Sequence, residues 1–121
     1  MNGSCLCGAI RFTVEGPIEG PSVCHCTQCR KQSGHVWSSA FAAEDRIKIT
    51  GKVQWYEAKA QARRGFCPVC GSFLFWKAHD EDTMSFALGA IDGPTGTTLE
   101  KHIFTASKGD YYDIADGLPQ S

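Results

Sequence analysis

The sequence predicts an all-β chain. Short stretches of alternating apolar and polar residues recur along its 121 residues, and turn-forming glycine and proline pairs separate them. No long segment carries an apolar stripe of helical period. Seven cysteines in three tight clusters add the outline of a metal-bound framework to that sheet.

The elements follow in order. Cys5 and Cys7 lie in a segment read as extended, where residues two apart face one way and Leu6 the other. Ile10, Phe12 and Val14 then alternate with Arg11 and Thr13 as on a half-buried strand. Gly16-Pro17 and Gly20-Pro21 read as turns. A short helical turn is expected after Cys26, through about Gln32. Further strands are expected at Val36–Phe41, Arg46–Thr50, Val53–Tyr56, Phe73–Trp76, Met84–Leu88 and His102–Phe104. Glu57–Arg64 holds good helix formers but no apolar stripe, so it reads as a loop leading into a strand. Trp37, Trp55, Trp76, Phe73, Phe75 and Phe86 read as core. His79 and His102 read as surface or satisfied structural histidines, and Glu44-Asp45 and Asp80-Glu81-Asp82 as solvated turns.

Residues 1–121 have the length of one domain. A net charge of −1 leaves no footprint for nucleic acid or an anionic membrane surface. No apolar run approaches the roughly 20 residues of a membrane-spanning helix, and the polar start lacks the apolar region of a secretory signal. A cytoplasmic, reducing setting is therefore expected, where clustered thiols serve metals or catalysis rather than disulfides. The odd cysteine count points the same way.

The spacings suit zinc. In Cys67-Pro68-Val69-Cys70-Gly71 the proline fixes one turn dihedral and the glycine tolerates a left-handed one, folding the two sulfurs together. A redox dithiol would open a helix, whereas Ser72-Phe73-Leu74-Phe75-Trp76 reads as strand. Two cysteine pairs make one closed tetrahedral site. Cys24-His25-Cys26-Thr27-Gln28-Cys29 can turn three thiolates toward a second ion, with His25 pointing away. Its fourth position could be open, or His35 could close it; pairing of Cys5 and Cys7 with Cys24 and Cys26 is also compatible with spacing. Three thiolates would leave that zinc with a charge of −1 and a weak pull on water, which suits capture of an exogenous thiol. Arg30 and Lys31 could offset this charge or meet a substrate carboxylate, or stand as a solvated pair.

Three runs carry a family resemblance: Gly3-Ser4-Cys5-Leu6-Cys7-Gly8-Ala9-Ile10, Cys24-His25-Cys26-Thr27-Gln28-Cys29-Arg30-Lys31-Gln32-Ser33-Gly34 and Phe66-Cys67-Pro68-Val69-Cys70-Gly71-Ser72. With the tail Asp113–Pro119, they resemble the glutathione-dependent formaldehyde-activating enzyme family, also called the centromere protein V/Gfa family. The resemblance implies a β-tent (Mss4-like) fold of small sheets around two zinc ions. It assigns Cys5, Cys7, Cys67 and Cys70 to a structural zinc, and Cys24, Cys26 and Cys29 to a second zinc whose fourth ligand is water or a substrate thiol. It also implies a carbon–sulfur lyase that joins glutathione to formaldehyde as S-(hydroxymethyl)glutathione. Tyr111-Tyr112 stand where many members carry tryptophan. A non-catalytic zinc scaffold that binds a protein partner is the rival reading. Methionine sulfoxide reduction on a similar fold would need a metal-free catalytic cysteine, which a four-plus-three allotment does not leave.

Overall fold

Ten strands and one α-helix make up two sheets in the computed structural model, which describes residues 1–121 apart from the side chain of Lys59. In chain order the elements are β1 (Asn2–Ser4), β2 (Arg11–Val14), β3 (Glu19–Cys24), α1 (Thr27–Ser33) and β4 (Trp37–Ala43). There follow β5 (Ile47–Thr50), β6 (Gln54–Lys59), β7 (Ala62–Phe66), β8 (Phe73–Ala78), β9 (Thr83–Ala87) and β10 (Lys101–Ile103). The smaller sheet has the order β1-β2-β5 and the larger β10-β3-β4-β9-β8-β7-β6. All pairings are antiparallel except β10 with β3. This is the mainly β architecture that the strand pattern predicts, and it agrees with the β-tent that the family resemblance implies.

Strand alternation gives the larger sheet two different faces. Phe75 on β8 sits opposite Phe86 on β9, and both are fully buried. Phe12 of the smaller sheet meets Phe75 edge-on at 5.1 Å, so this face is the core shared by the two sheets. On the other face Trp76 sits opposite Ser85 and Arg64, and Ser22 opposite Ser39. Small hydroxyl side chains there leave a hollow in the middle of the sheet. A register shift between Gly65 and Phe66, opposite Leu74, keeps Leu74 in the main core. It leaves Phe73 on the hollow side, stacked on Trp37 at 4.1 Å.

Three expectations need correction. Glu57–Arg64 is no loop: β6 and β7 form a hairpin through it, and pairing with β8 supplies the stability that an apolar stripe would have given a helix. Gly20-Pro21 is not a turn but lies inside β3, where a register shift between Glu19 and Ser22 absorbs it. Cys5 and Cys7 are not in a strand: β1 ends at Ser4, and a turn closed by the Gly8 N–H donating to the Cys5 carbonyl at 3.1 Å carries them. Trp37 and Phe73 pack with the smaller apolar cluster around Cys24 and Cys29 rather than in the main core.

Candidate metal centre and adjoining cavity

The Cys5–Cys7 turn and the turn between β7 and β8 meet at one end of the molecule. Their four sulfurs lie within 4.8 Å of one another, and a metal ion could sit between them. Cys5 and Cys7 Sγ are 3.6 Å apart and Cys7 and Cys67 Sγ 3.8 Å. A tetrahedron with metal–sulfur bonds of about 2.3 Å needs edges of about 3.8 Å, whereas a disulfide needs about 2.05 Å. All seven cysteines are free. The β7–β8 turn has the knuckle form that Pro68 and Gly71 predict: Gly71 adopts φ 80°, and its N–H donates to the Cys67 carbonyl at 2.8 Å. Backbone N–H groups of Ile10 and Cys70 point at the sulfurs of Cys5 and Cys67, at 3.2 and 3.5 Å. Such donors stabilise thiolate rather than thiol. The Ser72 hydroxyl and N–H hold the Cys70 thiol down to about 5.

The second group comes from one segment. Cys24 ends β3, Cys26 caps α1 by accepting the Cys29 N–H at 3.3 Å, and Cys29 lies in the first turn of that helix. Their three sulfurs also lie within 4.8 Å of one another. The expected helical turn is therefore real, running to Ser33 and ending at Gly34 in the left-handed region. Hydrogen bonding from Cys24, then the Arg64 guanidinium, holds the Cys29 thiol down to about 6, while Cys24 is pushed up by Cys29 and by burial.

Arg64, which with Arg11 and Arg63 reads from the sequence as readily as a solvated arginine as a contact for the thiol's carboxylates, is the residue that sequence reasoning undervalued. It is 5 % exposed and has no carboxylate partner among the described residues. Nε donates to Gln28 Oε1 at 3.1 Å, and Nη1 donates to Gln32 Oε1 at 3.3 Å and to Cys29 Sγ at 3.5 Å; Nη2 points at Cys26 Sγ, 3.9 Å away. A buried guanidinium is costly without a counter-charge. Here Cys29, whose thiol this same contact helps to hold down, supplies it as thiolate. The only sequence signal was an arginine three residues before Cys67, on a strand whose partner could not be read.

His35 does not join the three sulfurs. It is exposed at the end of α1, with Nδ1 2.7 Å from the Tyr111 hydroxyl. His25 does point away from the cluster, and it meets a chain of polar groups that runs from the buried His25 and His102 out to the exposed Asp116. Its Nδ1 bonds the Tyr112 hydroxyl, its Nε2 lies 2.8 Å from His102 Nδ1, and His102 Nε2 lies 2.7 Å from Asp116. Burial, then the neighbouring His102, lowers the His25 pKa; the bond from His102 lowers that of Asp116. The tail is thereby tied to the segment that carries the second cysteine group.

A cavity of about 570 Å³ opens over the hollow face, and Cys24, Cys26 and Cys29 lie in its wall. That volume is in the range of small-molecule sites. Ser22, Ser39 and Ser85 line it, Trp76 and Phe41 add aromatic surface, and its charged lining residues are Arg64 and Lys101. Arg30 and Lys31, expected near a substrate carboxylate, do not line this cavity. Arg30 Nε instead donates to the Ser107 carbonyl at 3.0 Å, and Lys31 is exposed on the helix.

A model of the family described as glutathione-dependent formaldehyde-activating enzyme matches residues 1–107. An uncharacterized lyase of Schizosaccharomyces pombe is 30% identical over 124 residues, covering 94% of this chain and 85% of that protein. A Halomonas elongata protein, provisionally named for glutathione-dependent formaldehyde activation, is 31% identical over 130 residues, covering 94% of this chain and 80% of its own length. Among solved structures, a Rhodobacter sphaeroides protein superposes with a TM-score of 0.64 at 19% identity, covering 79% of this chain and 92% of that one. This last likeness concerns the fold alone.

Proposed function

The chain belongs to the glutathione-dependent formaldehyde-activating enzyme family, and from that premise we propose that it is a carbon–sulfur lyase joining a small thiol, glutathione, to formaldehyde or a related aldehyde. The observation that carries this reading is the convergence of Cys24, Cys26 and Cys29 in the wall of a substrate-sized cavity. In this reading Cys5, Cys7, Cys67 and Cys70 hold a structural zinc that binds the two sheets together. The other three cysteines hold a second zinc with one position free. His35, turned to Tyr111, leaves that position to an incoming group.

Zinc at the three-cysteine site supplies one thing: it holds a thiol as thiolate at neutral pH. The rest falls to the chain. Arg64 offsets the negative charge gathered on Cys26 and Cys29, which three thiolates and a divalent ion leave at −1. Its own position is fixed by Gln28 and Gln32, one turn apart on α1. Lys101 offers the mouth of the cavity a cation for a carboxylate of the thiol. The apolar walls limit the water around the sulfur, which keeps its nucleophilic pair available.

The chemistry balances without a redox partner. The thiolate sulfur forms a bond to the aldehyde carbon, the carbonyl π pair moves to oxygen, and the proton lost by the thiol ends on that oxygen. Cleavage of the adduct is the same step reversed. Because formaldehyde and thiols combine unaided, the test is exchange NMR between glutathione, formaldehyde and their adduct, with and without the zinc-loaded protein. Exchange faster than the uncatalysed rate and proportional to protein is expected. No acceleration at high protein concentration overturns the reading.

A further inference from the structure

Phe104 is out of place by two ordinary standards. Its backbone stands at φ 53° and ψ 41°, making it the one non-glycine residue with positive φ among the described residues. A phenylalanine adopts that left-handed conformation only against a steric penalty that glycine escapes. Its ring is also 61% exposed, so burial in the core does not compensate. The conformation is held from two sides: the Thr105 N–H donates to the tail's Ser121 carbonyl at 2.9 Å, and the Phe104 carbonyl accepts from the Ser107 N–H of the 3-10 turn it caps at 3.2 Å. Such local strain concentrates where a side chain is held for a ligand.

The position supplies the ligand's chemistry. Phe104 directly follows Ile103, which pairs with Cys24 across β10 and β3, and both Phe104 and Ile103 line the cavity beside the cysteines. Phe41, Trp76, Ala58 and Ala62 add further apolar surface to it. Among the described residues the charged groups in the lining, Arg64 and Lys101, are cations, and no carboxylate joins them. One half of the site thus suits an anionic thiol. The other half is apolar, and neither glutathione nor a one-carbon aldehyde has a part that would use it.

We propose that Phe104 and the apolar wall beside it select aldehydes that carry a hydrophobic substituent, so that the preferred substrate is the adduct of an anionic thiol with an alkyl or aryl aldehyde. This rests on the reading of the cavity as a thiol–aldehyde site. The covalent step is unchanged: sulfur adds to the carbonyl carbon, the thiol proton ends on oxygen, and the hydrophobic group remains attached to that carbon. Formaldehyde is then a minimal substrate that leaves the wall empty.

The test uses zinc-loaded protein and two stable stand-ins for the adduct, S-methylglutathione and S-hexylglutathione, with binding followed by calorimetry. The hexyl compound is expected to bind at least about tenfold more tightly, since only part of its added chain need be buried to give that ratio. Phe104→Gly is expected to shrink the preference by about tenfold while its melting temperature stays level or rises, because glycine relieves the strained backbone. Equal affinity for the two compounds overturns the proposal, as does a Phe104→Gly protein that melts lower than wild type and keeps the preference. The formaldehyde exchange assay runs in parallel. Acceleration there without a hexyl preference sinks this proposal alone, whereas a hexyl preference without acceleration leaves only an apolar subsite and sinks the lyase reading together with the assignment of an aldehyde to that subsite.

Discussion

The Arg64 guanidinium lies 3.5 Å from Cys29 Sγ and 3.9 Å from Cys26 Sγ, and its other hydrogen bonds go to uncharged Gln28 and Gln32. The cation and the cysteine group therefore stabilise each other. Replacing Arg64 by methionine removes the charge but keeps much of the side-chain bulk. We expect it to weaken metal binding at Cys24, Cys26 and Cys29 by about 10–100-fold, as loss of a partner to the ligands does elsewhere. Competition with a chromogenic chelator measures this, with the other site as internal reference. Arg64→Lys should recover part of the loss, since the charge returns but the fork does not. Unchanged affinity in both variants would show that the guanidinium is a bystander.

The two cysteine groups should answer differently to single substitutions. Cys67 is fully buried in the turn between β7 and β8, which brings it and Cys70 against the Cys5–Cys7 turn that follows β1. A closed zinc site of that kind contributes on the order of 10 kcal/mol in apparent folding free energy. Cys67→Ser should therefore unfold or precipitate. Cys29→Ser should stay folded, with its circular dichroism near wild type and its metal content one ion lower. Loss of all metal and structure in both variants would contradict this division of roles.

If the two cysteine groups each hold an ion as proposed, His35→Ala should leave the metal content at the wild-type level, because the ring already bonds Tyr111 and sits outside the three converging sulfurs. What should change is the tail: Tyr111 loses its partner, and Tyr112 loses an edge-on neighbour 4.7 Å away. Metal analysis by mass spectrometry decides the point. A variant with a single ion would mean that His35 closes the second site.

How far the sequence could be read depended on the range of the interaction. The cysteine groups were legible because spacings of two and three residues impose local geometry, and Gly71 and Gly34 mark their turn and helix end directly. Strands with clean alternation, such as β2, were legible for the same reason. By contrast β3 was hidden by Gly20-Pro21, since a bulge inside a strand and a turn between strands use the same residues. Arg64 was hidden because its partners Gln28 and Gln32 lie across the sheet's topology rather than near it in sequence. His25 could be turned away from the metal by alternation alone, but its chain to His102 and Asp116 spans β10 and the tail, which no local pattern links.

That chain gives acid sensitivity a direction. His25 is neutral in the folded protein, its pKa lowered from 6.5 first by burial. The unfolded chain thus takes up a proton that the folded one refuses, so stability is fully present above 6.5 and falls as pH drops below it. Asp116, lowered from 3.8 by the His102 bond, adds a second loss only in stronger acid. We expect the tail to loosen first. The protection factors of the His102 and Ser121 amides, which donate to the carbonyls of Pro119 and His102 at 2.9 and 3.0 Å, should fall as pH drops below 6.5, before metal is released. Protection that stays flat until the metal leaves would assign the acid response to the cysteines instead.

The joint between the sheets is tested at Gly3, which forms no turn and has no positive φ. On β1 it sits opposite Phe12, and a Cβ added there would lie 2.2 Å from Phe12 Cζ. The ring cannot retreat, because its other side meets Phe75 at 5.1 Å and Phe86 at 6.2 Å, both fully buried. Overpacking of this kind costs about 1–3 kcal/mol. Gly3→Ala should lower the urea midpoint without changing the slope, because the surface exposed on unfolding is the same. The first metal group should loosen with it, since Cys5 follows β1 by a single residue. If the midpoint holds, the smaller sheet moves away from Phe75 at little cost, and Phe12 is not the joint.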